Sequence, residues 1–383
     1  MEVVAPFQEA RDEINQSGGG VVKFCYECGK CDTVCPWNKV RSFSVRKIMR
    51  EAVFGLTEIE SEDIWRCTTC GRCSERCPRG VKQPEAMVAF RRIATKYGIF
   101  PVPVRPLRAV SAGLSGEGNP FGEERSKRAE WAEGLPVKTF TEGTELLYFP
   151  GCYPCYDPRL KKVARATAGL LHKAGVDFGI LGTKENCCGE SIRKAGNEEL
   201  FKRLARENIK TFVDNGVKTI LVSSPHCYHT FKNEYSEFKV NFEVIHITQY
   251  LLELLRDGRL KISKEFRKRV TYHDPCYLGR HNGIFDEPRE VLRRIPGLEL
   301  VEMPETKKDS LCCGMGGGGI WMETPKDQRF SNLRLEQAVE VGAEVLVTSC
   351  PYCITSFEDS RLILNYSDLI EVKDITEVLQ EAV

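Results

Sequence analysis

Eighteen cysteines in 383 residues are the side chains of this sequence best equipped for chemistry, and their spacing sorts them into four groups. The first is CYECGKCDTVCP, with Cys25, Cys28, Cys31 and Cys35 followed by Pro36. The second is CTTCGRCSERCP, with Cys67, Cys70, Cys73 and Cys77 followed by Pro78. Both read C-x2-C-x2-C-x3-C-P, the run that holds a [4Fe–4S] cluster. Steps of two residues let three thiolates of one loop converge on one cube, and in two-cluster ferredoxins the fourth thiolate reaches across to the other. The spacing therefore predicts one cluster on Cys25, Cys28, Cys31 and Cys77, and another on Cys67, Cys70, Cys73 and Cys35. A pair of zinc knuckles shares the C-x2-C step, but two complete runs with the trailing proline favour iron and sulfur. A disulfide framework belongs to small secreted domains, which this chain does not resemble in length or in its acidic, polar start.

The other ten cysteines lie in a sequence that says one thing twice. LLYFPGC ends at Cys152 and RVTYHDPC at Cys276; each is an apolar strand followed by a helical segment and a second strand (VDFGIL, LELVEM). Then come the pairs Cys187–Cys188 and Cys312–Cys313, 35 and 36 positions on. A long amphipathic helix and an apolar strand (KTILVSS, AEVLVTS) follow each pair. The last elements hold Cys227, and Cys350 with Cys353, so that Cys188–Cys227 and Cys313–Cys353 span 39 and 40 positions. Adjacent cysteines seldom bond to each other, so Cys312 and Cys313 read as neighbouring ligands of one iron–sulfur assembly with Cys276, Cys350 and Cys353. The glycines of GMGGGG, after Cys313, let the main chain approach that assembly and aim N–H groups at sulfur. As a dinucleotide loop GMGGGG is weak, because no strand leads directly into it.

The elements that must position these cysteines are legible too. Val45, Ile48, Met49, Ala52 and Val53 form a helical stripe ending at Gly55; Met87, Phe90 and Ile93 form another between Pro84 and Gly98. Residues 1–98 read as a helical domain. Residues 99–145, rich in Pro, Gly and charge, read as a linker. Residues 146–262 and 263–383 read as two small α/β domains with parallel sheets, related by a pseudo-twofold axis, with the cysteines past strand ends where such sheets build sites. The fold class is thus α/β behind a helical two-cluster domain. A net charge of +1 gives no reason to expect nucleic acid, and no apolar run approaches membrane-helix length. A cytoplasmic protein is expected, with any membrane association made through a partner.

Tandem domains of the form C…CCG…C-x-x-C behind a two-cluster ferredoxin domain resemble the D-type iron–sulfur chain of heterodisulfide reductase, or equivalently its C-type and B-type chains fused. Related chains serve as iron–sulfur subunits of glycolate, lactate and anaerobic glycerol-3-phosphate dehydrogenases, and of complexes with electron-transfer flavoproteins or benzoyl-CoA reductases. The resemblance runs from about Phe24 to about Phe357. It implies a noncubane [4Fe–4S] cluster on Cys276, Cys312, Cys313, Cys350 and Cys353. The first copy departs from the pattern: it reads SSPHC where the second reads SCPYC, so Ser224 replaces a ligand, and an extra Cys155 sits in GCYPC. An ordinary cubane on Cys152, Cys187, Cys188 and Cys227, with Cys155 as a substitute ligand, is the expectation there.

His273 and Asp274 precede Cys276 and His226 precedes Cys227; each reads as a support for a ligand more readily than as a proton donor to a substrate sulfur. His172 reads as a surface residue, and Arg280 and Arg289 as solvated charge or a contact for a partner or an acidic substrate. No flavin, nicotinamide, haem or molybdenum motif accompanies the cysteines, so electrons must come and go through partners. The expected role is an electron-transfer subunit of an anaerobic oxidoreductase complex. Its partner would be a flavoprotein (an HdrA-like heterodisulfide reductase chain or an electron-transfer flavoprotein) or a membrane cytochrome. Two alternatives stand beside it: a heterodisulfide reductase catalytic subunit, and the iron–sulfur subunit of a flavin-dependent 2-hydroxy-acid or glycerol-3-phosphate dehydrogenase.

Overall fold

The computed structural model describes residues 7–55 and 61–383; the first six residues of the expected helical domain lie outside the described residues. Between Phe7 and Gly98 the described residues form helices and turns without a strand. Helix Val45–Phe54 is capped by Ser44, whose hydroxyl accepts from Lys47 N at 3.1 Å, and it buries Val45, Ile48, Met49 and Ala52. Helix Gln83–Lys96 carries Pro84 in its first turn and is buried well beyond one face, from Ala86 to Arg91. In each cysteine run a residue in the left-handed region (Glu27, Thr69) precedes the second cysteine and a left-handed glycine (Gly29, Gly71) follows it. Such alternation turns consecutive N–H groups into a concave nest suited to anionic sulfur.

The rest of the chain makes two parallel sheets. The first, in the order β1-β3-β2-β4-β5, contains β1 (Lys138–Thr139), β2 (Leu146–Phe149), β3 (Phe178–Ile180), β4 (Thr219–Val222) and β5 (Glu243–His246). The second, β7-β6-β8-β9, contains β6 (Arg269–Tyr272), β7 (Glu299–Val301), β8 (Val345–Thr348) and β9 (Glu371–Asp374). Apart from β1 the orders are the same, β2 and β4 pairing as β6 and β8 do. Strands buried on both faces read as continuous apolar runs. Leu146, Tyr148 and Leu221 share one core with Val270, Tyr272, Val345 and Val347, whereas Leu147, Phe149, Ile220 and Val222 face another.

The two units dock reciprocally. Helix Lys161–Lys173 of the first packs on helix Ile375–Ala382 of the second, and helix Glu287–Arg293 of the second packs on helix Ile247–Arg256 of the first. Equivalent elements exchanging the same contact are the mark of a twofold relation, here an approximate one within a single chain.

The segment expected to be a linker is largely ordered. It contains helix Pro106–Gly116, whose Leu107, Val110 and Leu114 are buried at i, i+3, i+7 spacing, a short 3₁₀ stretch Arg125–Ala132, and β1. Strand β1 pairs with β3, so the first α/β unit begins at residue 138. Proline at the start of Pro106–Gly116 is compatible with a first turn, and glycine-rich flanks masked the short apolar period.

Candidate metal centres

The two ferredoxin-type runs interleave. Cys25, Cys28, Cys31 and Cys77 line one cavity, and Cys35, Cys67, Cys70 and Cys73 line another, so the fourth cysteine of each run joins the other's first three. Val81 N donates to Cys77 Sγ at 3.3 Å. Cys28 is the one exposed cysteine of the 18. Burial pushes the Cys31 thiol up to about 12 and the Cys67 thiol up to about 11.

In the second α/β unit, five cysteines from three separated elements meet. Cys276 lies past the end of β6, Cys350 past β8, and Cys353 in the first turn of helix Pro351–Ile363. Cys353 Sγ is 3.4 Å from Cys313 Sγ, and Gly314 N donates to Cys312 Sγ at 3.3 Å. One ring nitrogen of His273 lies within 4.8 Å of the Cys313 and Cys353 sulfurs. Arg334 Nε donates to His273 Nδ1 at 3.3 Å, and burial together with that guanidinium holds the imidazole well below its ordinary pKa. Asp274 takes a two-pronged ion pair from Arg289 at 2.6 and 2.9 Å. Arg289 and Arg280 are therefore not solvated: Arg280 donates to the carbonyls of Cys70 and Ser310 at 2.8 and 2.7 Å. Those two carbonyls lie in loops of separate units, which a long, planar donor can bridge, and one-dimensional charge patterning does not reveal that. His172 is exposed.

The glycine run presses the second ferredoxin loop against this site. A Cβ on Gly316 would stand 2.4 Å from Thr68 O, and one on Gly317 would stand 2.5 Å from Cys67 O. The close approach is thus to the backbone that carries the neighbouring cysteines, while Gly314 supplies the N–H to sulfur. Thr68 Oγ1 lies 3.6 Å from Cys312 Sγ, and Thr69 Oγ1 shares a hydrogen bond of 2.8 Å with Tyr277 OH. Arg91, fully buried, locks the same junction. Its guanidinium donates to the carbonyls of Ile64, Trp65, Cys67, Lys194 and Gly317. Nothing in the sequence singles out Arg91 within its helix.

Gly316→Ala should force the two loops apart, because the nearest atom is a main-chain carbonyl with no side chain to move. A loss of about 1–3 kcal/mol, typical of overpacking, is expected, read as a lower urea midpoint and weakened magnetic interaction between the adjoining centres.

In the first α/β unit Cys152, Cys187, Cys188 and Cys227 line one cavity together with Ser224 and His226. Cys155 does not line it; one turn along helix Cys152–Tyr156, it is buried in the core with Trp131, Leu146 and Tyr148. Gly189 N donates to Cys187 Sγ at 3.4 Å, the counterpart of Gly314 and Cys312. Arg128, from the supposed linker, donates to Cys152 Sγ at 3.6 Å and pairs with Glu185 at 3.2 Å, with both side chains 1% exposed. His226 Nδ1 stands 3.1 Å from Glu190 Oε1. Burial opposes a charge on His226, but the Glu190 carboxylate outweighs it and raises the pKa to about 10. Tyr153, Tyr352, His226 and Tyr277 form a column between the two sites, with successive ring centroids 5.0, 4.4 and 4.2 Å apart.

Groups of converging thiols, most of them buried or half-buried and none in a disulfide, three of them met by N–H donors at 3.3–3.4 Å, suit soft iron–sulfur ligation. Residues 21–81 match the 4Fe-4S dicluster domain family, and residues 146–232 and 270–358 each match the cysteine-rich domain family CCG. The chain is 38% identical to the probable iron-sulfur-binding oxidoreductase FadF of Bacillus subtilis, over 85% of the chain and 47% of that protein. It is also 38% identical to the EtfAB:quinone oxidoreductase of Syntrophomonas wolfei, over the same shares of each. It is 32% identical to the D-type subunit of the dihydromethanophenazine:CoB–CoM heterodisulfide reductase of Methanosarcina barkeri, over 94% of the chain and 93% of that relative. The chain therefore spans about half the length of the first two and nearly all of the third. Among the described residues no helix is long and apolar enough to cross a membrane.

Proposed function

The chain belongs to the D-type heterodisulfide reductase family of iron–sulfur proteins, and from that membership we propose that it is an electron-transfer subunit of an oxidoreductase complex. Bound clusters supply one-electron steps whose potentials are set by ligands, hydrogen bonds and burial. Cys25, Cys28, Cys31 and Cys77 would hold one cubane, and Cys35, Cys67, Cys70 and Cys73 the next. Cys276, Cys312, Cys313, Cys350 and Cys353 would hold a noncubane cluster. Cys152, Cys187, Cys188 and Cys227 would hold a cubane, with Cys155 outside the ligand set.

One observation carries this reading: the four groups of cysteines form an unbroken succession. Exposed Cys28 begins it; the second run touches Cys312 through Thr68; the aromatic column then links the second α/β site to the first. The rings of Tyr352, His226 and Tyr277 stand in contact between the two α/β sites, which favours passage of electrons over cleavage of a bound disulfide. Phe24 and Tyr26 are 50% and 57% exposed, and Lys30, Arg46 and Arg79 line the cavity of Cys28. That face suits exchange with a partner flavoprotein or cytochrome. The name of the Syntrophomonas relative suggests an electron-transfer flavoprotein as one partner and a quinone as the other.

Anaerobic purification tests the assignment. About 16 iron atoms per chain are expected if every site holds four, with the colour and absorbance of iron–sulfur protein. Stoichiometric zinc with little iron would overturn it. Steady disulfide reduction by the isolated, pre-reduced chain would move the reading to the catalytic alternative.

A further inference from the structure

The segment ahead of β2 is clasped onto the first cysteine-rich site. Cys187 N donates to Gly118 O at 2.7 Å, and Arg125 Nη2 donates to Asn186 Oδ1 at 2.7 Å. Arg128 goes further and touches a thiol of the site itself. Its Nη1 donates to Cys152 Sγ at 3.6 Å, while its Nε donates to Glu185 Oε2 at 3.2 Å. Glu185 is tethered in turn, its Oε1 accepting from Leu181 N at 3.1 Å. The guanidinium stands over the Phe149 ring, 5.5 Å from the centroid. Both charged side chains are buried, and Arg128 Nη2 makes no hydrogen bond among the described residues. A buried cation with one arm unused destabilises a fold unless negative charge lies beside it. Converging thiolate ligands supply that charge.

The approximate twofold does not repeat this arrangement. Ser310 stands where Glu185 would be, two residues before the paired cysteines. Only a short loop leads from helix Ile247–Arg256 into β6, so no equivalent segment precedes the second site. Arg280, close to Cys276 in the chain, donates to the carbonyls of Cys70 and Ser310 instead. Among the described residues Arg128 is the one arginine that hydrogen-bonds a cysteine sulfur.

Resting on the iron–sulfur reading above, we propose that Arg128 is a positioning residue of the first cysteine-rich site: held by Glu185, its guanidinium donates to the Cys152 sulfur and makes that site easier to reduce. One electron enters from a neighbouring centre and no bond is made or broken. The added electron makes the ligand sulfurs more negative, so a fixed cation with an N–H on one of them stabilises the reduced form and raises the potential. Exclusion of water strengthens the effect. A guanidinium stays charged at any ordinary pH, so the bias is permanent. Glu185 acts in two ways, aiming the guanidinium and offsetting part of its charge.

The test is an EPR-monitored redox titration of the full chain, with iron counted in parallel. Cys227→Ser identifies the first-site signal beforehand; if it removes no signal, the iron–sulfur reading of that site fails and the assignment falls with it. Arg128→Met keeps much of the volume and removes the charge. The first-site midpoint should fall by the equivalent of a tenfold change in a one-electron equilibrium, ~59 mV, with iron content and the N-terminal midpoints unchanged. Arg128→Lys restores a cation and should recover at least half of the shift. Glu185→Gln, with Arg128 in place, removes the counter-charge and should move the midpoint the opposite way, upward. A merely structural pair would not give opposite signs. An unchanged midpoint in Arg128→Met at full iron, a Lys variant no better than Met, or a midpoint that does not rise in Glu185→Gln overturns the proposal. If Arg128→Met loses iron, Glu185→Gln decides: a rise supports the assignment, and a fall or no change sinks it.

Discussion

Replacing Arg91 by methionine should loosen the junction of all three units and strip iron from the second ferredoxin run. The guanidinium is fully buried and faces five main-chain carbonyls: Ile64 at 2.9 Å, Trp65 at 2.8 Å, Cys67 at 2.5 Å, Lys194 at 3.1 Å and Gly317 at 2.7 Å. The first three lie just before or within the second run; Lys194 belongs to the first α/β unit and Gly317 to the glycine run of the second. Burial pulls the arginine's pKa down, yet a guanidinium stays charged at any ordinary pH. Methionine fills much of the volume but leaves the carbonyls without donors. Each buried carbonyl left without a donor costs about 1–3 kcal/mol, so the loss is large even where some of them find other partners. The expected result is a urea midpoint lowered accordingly and iron lost first from the site of Cys67, Cys70 and Cys73. Arg91→Lys should recover less than half, because three donors on a flexible stem cannot serve five acceptors held in a planar fan. Wild-type stability and iron in Arg91→Met would show that the junction is held by apolar packing instead.

Cys312→Ser should stop electrons from passing between the N-terminal runs and the first cysteine-rich site. Cys312 is 1% exposed, accepts from Gly314 N, and lies 3.6 Å from Thr68 Oγ1 of the second run. A serine hydroxyl stays protonated where a thiolate is needed, and it is a poor iron ligand. The second-site signal should vanish. Reduction of the first cysteine-rich site from the N-terminal runs should slow by more than roughly 100-fold, beyond the loss seen when only a supporting group is removed. Freeze-quench EPR after rapid mixing with reductant measures both, and the signals of the two N-terminal centres serve as the internal control. Rapid reduction of the first site with the second site empty would show that a path bypasses Cys312.

The features legible in one dimension were those that depend on local spacing. Two C-x2-C-x2-C-x3-C-P runs, helical stripes closed by glycine, and a strand–helix pattern repeated with its cysteines in step gave the family and the α/β fold class. The ordered segment from Pro106 to Thr139 was missed because its elements are short and set among glycines and charges. Cys155 looked like a spare ligand because it lies three residues from Cys152. In helix Cys152–Tyr156, however, it enters the apolar core rather than the cavity of the other four. The His226–Glu190 pair had a visible trace, the unlike residues at matched positions of the repeat, but a trace of difference does not say what meets what.

By itself the sequence determined the inventory: which thiols exist, how they are grouped, and which short elements carry them, since these follow from residue type and from periods of two to four residues. Only the tertiary structure decided adjacency. It pressed bare Gly316 and Gly317 onto the loop of Cys67 and Thr68, buried Arg91 among three units, and placed His226 beside Glu190 and between Tyr277 and Tyr352. The physical reason is that each of these contacts joins residues tens to hundreds of positions apart. Such contacts arise when buried faces of separate elements are packed together and their polar groups must find partners there, and no local pattern encodes which partners those will be.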